Sequence, residues 1–251
     1  MLYDRANSAF ARLRPQELDW PRILGAATPH GGAGADGPGR RDTGGARFFL
    51  VTGITPALSP GCLEATRQAM RTARDAGARV VFDPNFRSKL WNVDAAKAVY
   101  QELAPLVDVL SCSAEGLRAF YGIDSAAPAQ EAIDRFDLQA IVMTSREELG
   151  MWRNHVGATV VARDAHGAPQ TYTDREREVE IVDRLGAGDA FLAGFLASLL
   201  MDDGNSPDWE RATQWGGAAA ALKHSIRGDF PILTAAELRQ EIASPALRIQ
   251  R

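Results

Sequence analysis

Asp183-Arg184-Leu185-Gly186-Ala187-Gly188-Asp189-Ala190-Phe191-Leu192-Ala193-Gly194-Phe195 is the stretch on which the fold turns. Just before it, Val179-Glu180-Ile181-Val182 alternates apolar and polar residues, the pattern of a short strand. From Phe191 onward, Leu192, Phe195, Leu196, Leu199 and Leu200 recur at helical spacing and predict a helix with one apolar face. Gly186 and Gly188 therefore fall where a strand turns into a helix. The first N–H groups of a helix have no intrahelical acceptor, and the helix dipole adds positive potential at that end. Such a start suits an anion, phosphate above all. Asp189 is set among these donors. A carboxylate repels phosphate, so its presence needs another reason. Removing a proton from an attacking hydroxyl is one such reason. The alternative reading of the same residues is a Gly-rich helix start with no ligand.

Composition narrows the classes. The 251 residues suffice for one large α/β domain or two small ones, and 45% of them are hydrophobic, enough for a sizeable core. The net charge of −4 carries no basic surplus, so no nucleic-acid partner is expected, and an anionic substrate would need local positive charge. Two cysteines, Cys62 and Cys112, are too few for a disulfide framework and lie in no metal-binding spacing. No apolar run reaches membrane-spanning length, and the N-terminus lacks the apolar core of a signal peptide. The expectation is a cytoplasmic protein with reduced thiols and no membrane partner.

Working outward from the glycine turn, strand-like runs fall at 48–52, 79–82, 107–111 and 140–144. Helical patterns separate them at 61–76, 93–104, 114–121 and 129–136. A strand–helix unit of roughly 30 residues is the signature of a parallel sheet. Beyond 144 the pattern shifts to short, partly antiparallel strands at 150–153, 158–163 and 179–182. Helices at 187–201, 208–224 and 234–242 close the chain. The predicted fold is α/β in three layers, α/β/α, around a mainly parallel sheet. Residues 25–46 are rich in glycine and almost free of large apolar side chains, and read as a flexible surface insertion.

Three further segments carry polar clusters. Phe82-Asp83-Pro84-Asn85-Phe86-Arg87 follows a predicted strand, and ligands of open parallel sheets sit at strand carboxyl ends. Arg87 offers a planar fork for carboxylate or phosphate, though a loop with a surface ion pair reads equally well. Tyr3-Asp4-Arg5-Ala6-Asn7-Ser8-Ala9 opens the chain and reads on its own as a frayed terminus. Ala221-Leu222-Lys223-His224 ends a helix, where cations complement the dipole, and Gly228-Asp229-Phe230 follows.

Taken in order, these segments resemble the motifs of the ribokinase-like (PfkB) carbohydrate kinases, and within them the 2-keto-3-deoxygluconate kinase group. The broader pattern is Asp-Thr-x-Gly-Ala-Gly-Asp-x-Phe; Arg184 stands at the Thr position, as it often does in that group. The resemblance implies a sugar-acid kinase using ATP and Mg2+, with Asp189 as base toward the primary hydroxyl of 2-keto-3-deoxygluconate. It implies Tyr3, Arg5, Asn85, Arg87 and Asp229 at the sugar. It implies Asn85, Arg87, Thr144, Arg146, Gly150, Gly186, Ala187, Gly188 and Lys223 at the nucleotide. Arg87 would join Asp189 as a catalytic residue, stabilising charge on the transferred group. The broader family's Asn-x-x-Glu element is Ser113-Ala114-Glu115-Gly116 here, so direct metal ligands stay unassigned. Members carry a further portion, including a small β-sheet lid, before the Tyr-Asp-Arg motif. The expectation is therefore one kinase domain over 1–251, shortened at its N-terminus and poorly active. A homo-oligomer, another sugar kinase such as a fructokinase, and a non-catalytic remnant remain open.

Overall fold

The computed structural model describes residues 8–25, 45–202 and 206–244. Tyr3, Arg5 and all but the edges of the 25–46 segment lie outside the described residues. The chain forms two compact units, one from residues up to 111 together with 115–138, the other from 112–114 and 139 onward.

In the first unit, a short helix α1 (Trp20–Leu24) precedes β1 (Phe48–Thr52), α2 (Ile54–Leu58), α3 (Pro60–Asp75) and β2 (Arg79–Asp83). Then come α4 (Val93–Leu103), β3 (Val109–Ser111), a single turn α5 (Ala114–Gly116) running into a π-helical turn (Leu117–Tyr121), and α6 (Pro128–Phe136). β1 pairs parallel with β2, Phe48 opposite Arg79, and β2 pairs parallel with β3, Val81 opposite Val109. α3 starts where the Ser59 hydroxyl accepts the Cys62 N–H at 3.1 Å, with Pro60 in its first turn. It buries Cys62, Ala65, Thr66, Ala69, Met70 and Ala73, a stripe at helical spacing. The Cys62 thiol donates to the Phe10 carbonyl at 3.2 Å. β3 begins later than 107 because the Val107 N–H closes a 3₁₀ turn on Ala104 O at 3.0 Å.

The end of β2 is held from behind. The Tyr100 hydroxyl of α4 donates to Pro84 O at 2.7 Å, and the Gly53 N–H donates to Asp83 O at 2.7 Å. The Tyr100 ring meets Phe82, Trp91 and Phe120 edge-on. Gly53 has no room for a side chain: a Cβ there would lie 2.2 Å from Pro84 O. Tyr100→Phe leaves Pro84 O without this buried donor. It is expected to lower stability by about 1–2 kcal/mol, read as a lower urea midpoint at unchanged slope.

The second unit holds β4 (Ala140–Gly150), β5 (Arg153–Arg163), β6 (Pro169–Thr173), β7 (Arg177–Glu180), α7 (Ala187–Leu200), α8 (Trp209–Lys223) and α9 (Ala235–Ala243). β5 pairs antiparallel with β4, β6 and β7. The predicted strand at 150–153 is instead the turn of the β4–β5 hairpin, and β4 runs six residues past the predicted end at 144, to Gly150. α7 packs on α8 through glycine: a Cβ on Gly194 would lie 2.7 Å from Trp215 O, and one on Gly216 2.8 Å from the Phe191 ring. Leu200, placed on the apolar face by periodicity, is 49% exposed, so that face ends at Leu199. α9 begins in a capping box between Thr234 and Glu237.

One buried polar network fastens this unit. Arg177 ion-pairs Asp174 and donates from Nε to Glu241 Oε1 at 3.0 Å, all three buried. Arg175 pairs with the same Glu241 oxygen at 3.3 Å and donates to the Ser244 carbonyl. Glu241 belongs to α9, so the network ties that helix to the segment entering β7. No described helix is long and apolar enough to cross a membrane.

Candidate active site

Gly186 is the N-cap of α7 and sits in the left-handed region, φ 77° and ψ 8°. A Cβ there would lie 2.5 Å from the carbonyl oxygen of Asp229. Both the backbone conformation and the close approach therefore demand glycine. The Ala190 N–H donates to Gly186 O at 2.8 Å and closes the first turn. The N–H groups that precede it have no acceptor within the helix. Gly188 follows with nothing within 4 Å of where its Cβ would stand, so its backbone is open to an approaching ligand. Asp189 lies in the first turn and is exposed.

The turn is bound to the segment after α8. Asp183 Oδ1 accepts from Leu185 N at 3.0 Å and Oδ2 from Gly228 N at 2.9 Å. These N–H groups, Leu185 first and then Gly228, hold the Asp183 carboxyl below the usual carboxylate range. The N–H groups of Val182 and Asp183 both donate to His224 O, at 2.8 and 3.1 Å. Lys223 is fully buried, and its ammonium donates to Ile226 O at 2.9 Å and Asp183 O at 3.4 Å.

A cavity of about 370 Å³ opens beside this turn. Ala187, Gly188 and Phe191 form one wall, and Thr144, Ser145 and Arg146 of β4 another. Small residues of α8, Gly217 and Ala220, make room for it, with His224 and Arg184 completing the rim. Gly217 is required on its far side too, because the Asp174 carboxylate packs against it and leaves no space for a Cβ. Apolar walls beside polar groups and an open helix start suit a ligand that carries phosphate. His224 is buried, its Nδ1 2.7 Å from Ala220 O. Burial, with smaller repulsion from Lys223, Arg146 and Arg184, pushes its pKa below 6.5.

That shift has a pH consequence. Below pH 6.5 the unfolded chain takes up a proton at His224 that the folded chain resists, so stability is lost as pH falls through this window. Urea midpoints at pH 7 and pH 5 are expected to differ less in His224→Gln than in the unaltered protein.

Of the residues singled out from sequence, Thr144, Arg146, Ala187 and Gly188 line the cavity, and Gly186 shapes its helix start. Gly150 ends β4 at the hairpin and does not line it; nor does Lys223, whose ammonium faces backbone carbonyls. Asp229 is exposed, and its backbone packs on Gly186. In the first unit, the Asp83 side chain accepts the Asn85 N–H at 3.0 Å, and Asn85 adopts φ 37°, a left-handed strain rare outside glycine. Arg87 is exposed, with Nη1 donating to Phe86 O at 3.1 Å. Sequence reading missed Val156, Gly157, Arg184, Phe191, Gly217, Ala220 and His224 as cavity residues. The run Gly216-Gly217-Ala218-Ala219-Ala220-Ala221 was the available signal for a helix face thinned to admit a ligand. Among the described residues, no three His, Cys, Asp or Glu side chains converge on a metal position.

A glycine-capped helix start beside a cavity with two arginines is the arrangement of a phosphate-binding site. The profile of the pfkB family of carbohydrate kinases matches residues 41–230. The chain belongs to this family of phosphotransferases and has its ribokinase-like fold. It is 32% identical to a 2-dehydro-3-deoxygalactonokinase of Haloferax volcanii, over all of this chain and 68% of that protein. The crystal structure of 2-dehydro-3-deoxygluconokinase from Thermotoga maritima superposes with a TM-score of 0.81 at 27% identity, covering 97% of this chain and 68% of that one. A fructokinase from Vibrio cholerae, solved with fructose, ADP and calcium, gives a TM-score of 0.62 at 27% identity, covering 78% of this chain and 61% of that one. The chain thus spans about two thirds of the first two relatives and less of the fructokinase.

Proposed function

We propose that the chain is a sugar-acid kinase for 2-keto-3-deoxygluconate or its galactose-configured epimer, holding the nucleotide and the catalytic base. The observation that carries this reading is the left-handed Gly186 turn, which sets open N–H donors and Asp189 in one helix turn beside the cavity lined by Arg146 and Arg184. Asp189 takes the proton from the sugar's primary hydroxyl, whose oxygen attacks the γ-phosphorus of ATP, with ADP leaving. The N–H groups of Ala187, Gly188 and Asp189, with the Arg87 guanidinium, stabilise the charge that develops on the transferred group. Thr144 and Arg146 bind the nucleotide. Lys223 acts from behind the turn, holding the carbonyls of Asp183 and Ile226. Mg2+ would arrive on the ATP phosphates, since no described carboxylate cluster offers it a cage.

Asn85 and Arg87, with Tyr3, Arg5 and Asp229, are assigned to the sugar acid. An arginine fork suits a substrate carboxylate better than it suits a neutral ketose. The strained Asn85 supports a ligand-facing role for its loop. The 2-dehydro-3-deoxygalactonokinase is 32% identical over all of this chain, whereas the fructokinases among its relatives are 25–29% identical over 72–92% of it. The test is an ADP-release assay with 2-keto-3-deoxygluconate, 2-keto-3-deoxygalactonate and fructose. Turnover on either acid well above that on fructose is expected. Preference for fructose would replace the acid reading with a fructokinase.

A further inference from the structure

Two arginines reach the cavity beside the start of α7, and one carboxylate stands between them. Arg146 Nη2 lies 3.8 Å from Glu148 Oε1, and Arg184 Nη1 lies 3.7 Å from the same oxygen. Both arginines line the cavity, and Glu148 does not. The arginines come from different places: Arg146 from strand β4, Arg184 from the turn that leads to Gly186. A single oxygen shared by two guanidinium groups marks where they converge. Both separations exceed the ~2.7–2.9 Å of a strong charge-assisted hydrogen bond, so neither fork is saturated by Glu148. All three side chains are at least half exposed, so the pairing is weak and readily exchanged. A phosphate offers several charged oxygens where Glu148 offers one, and each planar fork can engage two of them.

The same place in the fold concentrates positive potential. Ala187 and Gly188, at the open end of α7, line the same cavity as the two arginines. His224 lines the cavity too, and beyond its burial both arginines help keep it neutral. A polyanion in this cavity therefore meets two forks, a helix start and an uncharged imidazole.

We propose that Arg184 and Arg146 form a two-arginine clamp on the phosphate chain of a nucleoside triphosphate, and that Glu148 occupies the clamp until nucleotide displaces it. The proposal rests on the nucleotide-site reading of this cavity. It gives Arg184 work at a position where threonine is the commoner residue, and it makes Glu148 a competitor that sets nucleotide affinity.

Calorimetric titration of the unaltered protein, Arg184→Ala and Glu148→Gln with ATP and with AMP tests it. Losing one fork is expected to weaken ATP binding about tenfold while AMP binding stays within about twofold. Glu148→Gln is expected to strengthen ATP binding about two- to fivefold, the worth of an exposed ion pair, and to leave AMP unchanged. Unchanged ATP affinity in Arg184→Ala would overturn the clamp and leave the nucleotide site standing. Equal losses for ATP and AMP would also overturn it, by making Arg184 a structural residue of the cavity wall. Unchanged ATP affinity in Glu148→Gln would overturn the competitor role. No ATP binding by the unaltered protein would overturn the nucleotide-site reading and the clamp together.

Discussion

Asp189→Asn is expected to abolish phosphoryl transfer while nucleotide binding persists. The replacement keeps the size and the planar end of the side chain and removes only its ability to accept a proton. Asp189 is exposed in the first turn of α7, one residue beyond Gly188, where a substrate hydroxyl can reach it. Loss of a general base is worth about a hundredfold or more, or roughly 3 kcal/mol of barrier. The measurement is single-turnover phosphorylation of 2-keto-3-deoxygluconate beside calorimetric titration with ATP. Near-normal turnover would reduce Asp189 to a residue that complements the helix dipole.

Arg177→Met is expected to destabilise the second unit strongly. The substitution roughly preserves the aliphatic stem but leaves Asp174 buried without its cation and Glu241 with Arg175 alone. Removing one partner of a buried ion pair costs about 3–5 kcal/mol, because the remaining charges are stranded away from water. For a chain of this size that corresponds to a fall in Tm of roughly 6–20 °C. Asp174 also packs against Gly217 of α8, so its displacement reaches the cavity wall. Thermal unfolding with and without ATP reads both effects. A loss below about 1 kcal/mol would mean that water reaches the carboxylates and that the network is solvated rather than buried.

The parts of this fold legible in the sequence are those where one local signal dominates. β1 was bounded at 48–52 because an apolar run sits between polar segments, and α3 because Ser59-Pro60 and Gly77 bracket a helical stripe. The second half of β4 was not legible. Ser145-Arg146-Glu147-Glu148 has no apolar alternation, since its pairing with β5 is made by backbone while its side chains are exposed. β6, Pro-Gln-Thr-Tyr-Thr, escaped for the same reason. The glycine turn was legible because the conformation at Gly186 leaves a chemical trace, the absence of a side chain. The ion network was not: Asp174, Arg175, Arg177 and Glu241 read as solvated charge until residues more than 60 positions apart are brought together. Arg184 was noticed only as a departure from a motif, because Arg146, which lines the same cavity, comes from strand β4 far away in sequence.

The contact between Gly186 and the Asp229 backbone carries a lesson for engineering. Two blocks more than forty positions apart, around Gly186-Ala187-Gly188-Asp189 and Gly228-Asp229-Phe230, share one steric boundary and are tied by the Asp183 carboxylate. A library that replaces Gly228, whose φ is 82° and whose N–H holds Asp183, will also shift the turn in the first block, and those members will be lost for reasons unrelated to the sugar. Randomising positions 227–230 together with 183 and 185, while keeping Gly186 fixed, treats the two blocks as the single mechanical part they are.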